Sequence, residues 1–187
     1  MKNFTKTQVG DIEIFVLNDG NTTFETDTFT STNANEIKVL LDKAGQSSIK
    51  TSFNAFLIKS GKEFTLVDSG AGELFGPIAG NLNNALKEIG VSRSDITKLI
   101  ATHMHPDHIG GLIDSSENRY FDNAELILSL KEHNFWSNVD NFTDHPEQQT
   151  HALKVLNAYS DRMTLCKENA DLGRGLSSID LPGHTAG

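Results

Sequence analysis

Six residues constrain this chain more than any other stretch. A run rich in apolar and β-branched residues, Thr97 to Thr102, leads directly into His103-Met104-His105-Pro106-Asp107-His108. Three imidazoles and a carboxylate thus follow what reads as the end of a buried strand. If the chain is still extended there, His103 and His105 point to the same side, two residues apart. They can then share one metal ion. Once the chain turns near Pro106, Asp107 and His108 can face a second position beside the first. Gly110-Gly111 lets the backbone pass close by with no side chain in the way. Imidazole and carboxylate suit zinc, iron or manganese, whereas soft cluster metals want thiolate. A solvated loop with incidental histidines is the plainer reading, but it needs three of the chain's seven histidines to fall here by accident.

A metal with two protein ligands is incomplete, because a catalytic zinc takes three plus water. His184 is the candidate third, in Pro182-Gly183-His184-Thr185 at the end of a short strand expected over Leu176 to Leu181. His145 and His151 fall on a helix, and His133 in the polar run Lys131-Glu-His-Asn; these read as surface histidines.

The rest of the chain predicts a mixed α+β domain. Val9 to Leu17 reads as a strand ended by a turn at Asn18-Asp-Gly-Asn, and residues 22 to 32 as loop. A helix is expected over 35–44, with Ile37, Leu40 and Leu41 on one face. A hairpin pairs Phe53–Lys59 with Glu63–Asp68. A second amphipathic helix runs from Ile78 to Ile89, stopped by Gly90. Glu125 to Leu128 is a strand. A helix capped by Asp144 runs to about Ser160, and short strands lie near Met163–Cys166 and Leu176–Leu181. Strands and helices without strict alternation argue for sheets packed on one another with helices outside. Function then sits on one rim, where several strands empty into polar loops.

Composition removes several function classes. Sixteen basic against 25 acidic residues leave a net charge of −9, a poor match for nucleic acid or an anionic membrane surface. One cysteine, Cys166, rules out an internal disulfide framework and a thiolate zinc cluster, and reads as a packed thiol. The N-terminal segment lacks the apolar stretch of an export signal, and no segment nears the ~20 apolar residues of a membrane helix, so a cytoplasmic location is expected.

His103-x-His105-x-Asp107-His108, followed later by Gly183-His184-Thr185 and preceded by Leu66-Val-Asp68-Ser-Gly70, resembles the metallo-β-lactamase superfamily. The resemblance spans about residues 53–187. It implies a four-layer αββα sandwich and two metals, usually zinc. His103, His105 and His184 would hold the first metal, and Asp107 and His108 would serve the second. Asp68 would stand behind the ligands and orient the histidine loop. Two metals ~3.5–4 Å apart can hold a water between them and lower its pKa toward neutrality. Asp107 would orient that nucleophile and carry a proton to the leaving group.

Residues 68–80 and Phe135-Trp136 look like a branch containing methyl parathion hydrolase-like enzymes and N-acyl-homoserine lactone lactonases. The resemblance assigns Phe75 and Trp136 to an apolar substrate pocket. A quorum-signal lactone or another ester is the favoured substrate. Organophosphate triesters, glutathione thioesters and β-lactams are the alternatives, and a binding or assembly module without chemistry is the non-enzyme alternative. The family continues past the third motif to an aspartate bridging both metals and a last histidine. Residues 1–187 are therefore expected to be one domain truncated after that motif, with an open sheet edge through which a homodimer could form.

Overall fold

The computed structural model describes residues 2–29 and 32–187. Its spine is a seven-stranded sheet whose strands lie side by side in chain order. The first four form an antiparallel meander: β1 (Phe4–Val9), β2 (Ile12–Phe24), β3 (Ile49–Ser60) and β4 (Glu63–Val67). The next three, β5 (Ile96–Ile100), β6 (Glu125–Ser129) and β7 (Met163–Cys166), run parallel to one another and to β4. Parallel neighbours need crossovers. These carry α2 (Leu82–Ile89) between β4 and β5, the single turn α3 (Pro106–Ile109) between β5 and β6, and α4 (Leu130–Ser137) and α5 (Pro146–Ala158) between β6 and β7. A further helix, α1 (Ala34–Lys43), lies between β2 and β3.

Strand register decides which side chains make the core. Leu66, Leu99 and Leu126 are cross-strand partners on one face and are fully buried. They share a cluster with Leu82, Ala85 and Leu86 of α2, Trp136 of α4, and Ala152, Val155 and Leu156 of α5. Each such leucine contributes roughly 1.5–3 kcal/mol by leaving water. One residue along, Val67, Ile100 and Ile127 align on the opposite face. A two-stranded hairpin, β8 (Asp171–Gly173) with β9 (Leu176–Ser177), lies over that face. Lys98 donates to the Leu172 carbonyl at 2.7 Å, and Arg174 pairs with Glu63. The layers are helix, sheet and small sheet.

Several expectations are corrected. A strand precedes Val9, and Gly10-Asp11 turns it back into β2. Asn18-Asp-Gly-Asn is not a turn: β2 continues through it with a register shift between Asn18 and Gly20 and runs on to Phe24. Residues 22–24 are strand because β3 offers them partners; positions 30 and 31 lie outside the described residues. The helix expected from Ile78 starts at Leu82, after a 3₁₀ turn over Gly76–Ile78. Helix α1 forms where expected, yet buries none of its residues. His145, not Asp144, precedes α5, without a side-chain cap. The last strand is only Leu176–Ser177. Among the described residues no helix is long and apolar enough to cross a membrane.

Candidate metal centre

Strands β4 and β5 end side by side, and the site is built where they stop. Asp68 follows β4 with φ of 58°, a left-handed conformation that non-glycine residues adopt at some cost. That turn aims its buried carboxylate across the gap to β5. Oδ1 accepts from the Thr102 backbone N–H at 2.8 Å, and the Thr102 hydroxyl lies within 3.0 Å of both carboxylate oxygens. Oδ2 lies 2.7 Å from His108 Nδ1. One side chain therefore pins the beginning and the end of the histidine segment.

The segment itself is short because α3 starts at once, with His105 as its N-cap residue and Pro106 in its first turn. The Ser69 N–H donates to the His108 carbonyl at 2.7 Å, and Gly111 donates to the Gly70 carbonyl at 3.3 Å. A Cβ on Gly110 would stand 2.2 Å from the Ala71 carbonyl oxygen, so the two loops touch through backbone alone.

Three ring nitrogens converge. His103 Nε2 lies 3.1 Å from His105 Nδ1, which lies 3.1 Å from His184 Nε2. His184 arrives from the other end of the chain, carried past β9 and through Gly183 at φ of 135°. His103 is buried, His105 half-buried and His184 exposed. Burial and the neighbouring histidines push His103 down to about 4, and burial with His184 pushes His105 down as well. Near neutrality His103 is therefore an uncharged imidazole. The arrangement fits a metal: four-coordinate zinc with bonds of ~2.0–2.1 Å has nitrogens roughly 3.3 Å apart.

Beside this trio the His103 and His108 rings stand 4.0 Å apart between centroids. His108 Nε2 lies 3.4 Å from Asp107 Oδ2. Burial opposes a charge on His108, but Asp107 and Asp68 outweigh it and hold the imidazole up at about 9. Burial likewise opposes ionisation of Asp107, and the bond from His108 overcomes it, so its pKa is lowered. Asp107 and His108 are thus neighbours next to the trio, with Asp68 behind them.

Neither of the two aromatics assigned to a substrate pocket lines the cavity beside the histidines. Trp136 is 3% exposed, packed on Phe135 and Phe142, with its ring edge-to-face on His105 at 5.6 Å. It is buried in the core cluster, directly against the His105 ring. Phe75 is partly buried and packs edge-on against Phe53 at 5.5 Å. A cavity of about 440 Å³ opens instead between the second sheet face and the β8–β9 hairpin. His103 and His184 reach it, with Ile58, Val67, Ile100 and Ile127 forming its floor. Cys166 lines its edge as a half-buried thiol whose pKa burial raises.

Two important carboxylates escaped the sequence reading. Asp19 and Glu132 are both fully buried and bond only to N–H donors. Asp19 looked like a turn residue and Glu132 like part of a polar run. The one available signal was Glu132 placed four residues before Trp136, on the same side of a helix.

A family profile described as the metallo-beta-lactamase superfamily matches residues 52–133. Among solved structures, AidC, a dizinc quorum-quenching lactonase in complex with the product N-hexanoyl-L-homoserine, superposes with a TM-score of 0.88 at 31% identity. The match covers 99% of this chain and 68% of that one. The hydrolase AbOPH of the beta-lactamase superfamily gives 0.87 at 29% identity, covering 100% and 68%. A probable metal-dependent hydrolase from Staphylococcus aureus gives 0.78 at 22%, covering 97% and 68%, a likeness of fold. No curated protein sequence matches the chain.

Proposed function

For a chain that belongs to the metallo-β-lactamase superfamily, we propose zinc-dependent hydrolysis of a lactone or ester, with N-acyl-homoserine lactones the favoured substrates. The observation that carries this reading is the convergence of His103, His105 and His184 nitrogens on one point. The dizinc lactonase AidC, at 31% identity over nearly the whole chain, supports the substrate class.

In this reading His103, His105 and His184 would hold one zinc, and Asp107 and His108 would contribute to a second. Bound zinc supplies a Lewis acid and lowers the pKa of a coordinated water. The protein's own residues do the rest. Asp68 fixes the His108 ring through Nδ1 and leaves Nε2 facing Asp107. His108, held up at about 9 by Asp107 and Asp68, would have to give up a proton to serve as a ligand, so its contribution would be pH-dependent. Asp107, whose Oδ2 faces His108, would orient the water and receive its proton. The water oxygen bonds to the carbonyl carbon and the ring C–O bond breaks. Asp107 passes the proton to the departing oxygen, and the product is a hydroxy acid. The apolar floor of the neighbouring cavity suits an acyl chain.

The test pairs elemental analysis with turnover. N-acyl-homoserine lactones should be opened faster than β-lactams or glutathione thioesters by one preparation. His105→Ala should lose both bound zinc and turnover while remaining folded. Unchanged zinc content and rate in that variant would overturn the assignment.

A further inference from the structure

Glu132 lies on α4, fully buried, and takes no part in the chemistry above. Three separate N–H groups converge on its carboxylate. Oε2 accepts from the Met104 backbone at 3.0 Å and from Trp136 Nε1 at 2.9 Å, and Oε1 accepts from the Gly187 backbone at 3.0 Å. Met104 sits between the candidate ligands His103 and His105, and Gly187 is three residues beyond His184. One carboxylate therefore holds both ligand-bearing segments, which are about eighty positions apart in sequence.

A second observation agrees. The His184 loop lies hard against the start of α4: a Cβ on Gly187 would stand 2.7 Å from Lys131 Cβ and 3.0 Å from the Glu132 backbone nitrogen. A residue there with any side chain would push the loop off the helix. The support beneath Glu132 is rigid, because Trp136, one turn along, is packed between Phe135 and Phe142. Metal sites need their ligands held within about 0.5 Å, and segments arriving from distant parts of the chain must be tied by something other than the metal.

We propose that Glu132 is a positioning residue that sets the distance between the His103–His105 segment and the His184 loop, and thereby preorganises the first metal position. The inference rests on the reading of that histidine trio as a metal site. A carboxylate suits the task because it only accepts. Glutamine must turn its amide group either toward the Gly187 N–H or toward the Met104 and Trp136 N–H groups, so one segment loses its partner.

The experiment uses the full chain, with zinc affinity from competition with a chromophoric chelator and hydrogen exchange on the metal-free protein. Glu132→Gln should weaken zinc binding at least tenfold and speed exchange of residues 182–187 and of the Met104 amide, leaving exchange in β2 and β3 unchanged. Gly187→Ala leaves the carboxylate intact and lifts the loop from α4; it should weaken zinc binding several-fold and speed exchange of 182–187 alone. It also serves if Glu132→Gln fails to fold. Exchange of 182–187 and zinc affinity both unaltered in either folded variant would overturn the proposal. Wild-type protein without measurable zinc affinity would overturn the metal-site reading instead, and exchange in the metal-free variants would still decide the tie.

Discussion

Asp19 offers the sharpest test of how this fold is held. It sits at the register shift in β2, fully buried, and reaches across to the loop that follows β4. Oδ2 accepts from Ala71 at 2.9 Å and Gly80 at 3.1 Å, while Oδ1 accepts from Leu82 at 2.9 Å, the first residue of α2. Gly20 makes the approach possible, since a Cβ there would meet the Ile78 carbonyl oxygen at 2.0 Å. Asp19→Ala leaves three N–H groups without their charged acceptor. Hydrogen bonds to a charged group are worth ~1.5–3 kcal/mol each, a gross loss of roughly 4.5–9 kcal/mol that water entering the loop will partly offset. A net cost of about 3–5 kcal/mol is expected, a large part of a stability of roughly 5–15 kcal/mol. Asp19→Asn keeps the shape and one acceptor oxygen, and should cost about half as much. Urea unfolding of metal-free protein, followed by Trp136 fluorescence with m compared between variants, measures both. A cost below about 1 kcal/mol for Asp19→Ala at unchanged m would refute the argument that these three bonds hold the loop.

Gly110→Ala should destabilise by roughly 1–3 kcal/mol and loosen the histidine segment, because its Cβ would lie 2.2 Å from the Ala71 carbonyl oxygen; urea titration together with zinc affinity reads both effects. Without metal, stability should depend on pH through His108. Its pKa is raised in the folded state, so its contribution is fully present below the unfolded value near 6.5 and is lost as pH rises through about 9. Asp68→Asn should flatten that alkaline limb, and an unfolding midpoint that does not fall between those pH values would contradict it. His103 acts in the opposite sense: its depressed pKa makes stability fall with acidification from 6.5 through about 4. Trp136→Ala should cost ~3–5 kcal/mol as a core truncation. It should shift KM alike for short- and long-acyl lactones, and a selective rise for long chains would return the residue to the substrate pocket.

The cluster His103-x-His105-x-Asp107-His108 was legible without coordinates because its members are neighbours in the chain. Local spacing dictates which of them share a side once strand β5 ends, and His184 was the candidate third ligand from the coordination number together with its place after an expected strand and Pro182-Gly183. The hairpin of β3 and β4, the existence of α1, α2 and α5, and the strands β5, β6 and β7 were readable for the same reason, since each is a matter of local periodicity and turn chemistry. Asp19 and Glu132 were not readable. Nothing in Asn18-Asp-Gly-Asn distinguishes a turn from a shift of register in a continuing strand, because the choice is made by β3 on one side and by the Ala71, Gly80 and Leu82 amides on the other. The burial of Trp136 against Phe135, Phe142 and His105 was not readable for a similar reason, since which face of α4 is covered is decided only when the helix docks. What the sequence determined by itself was which chemical groups are present and which of them are local neighbours. The tertiary structure alone decided which buried N–H groups find which carboxylate, since a buried donor takes whatever acceptor packing brings within about 3 Å, however far off it lies in the chain.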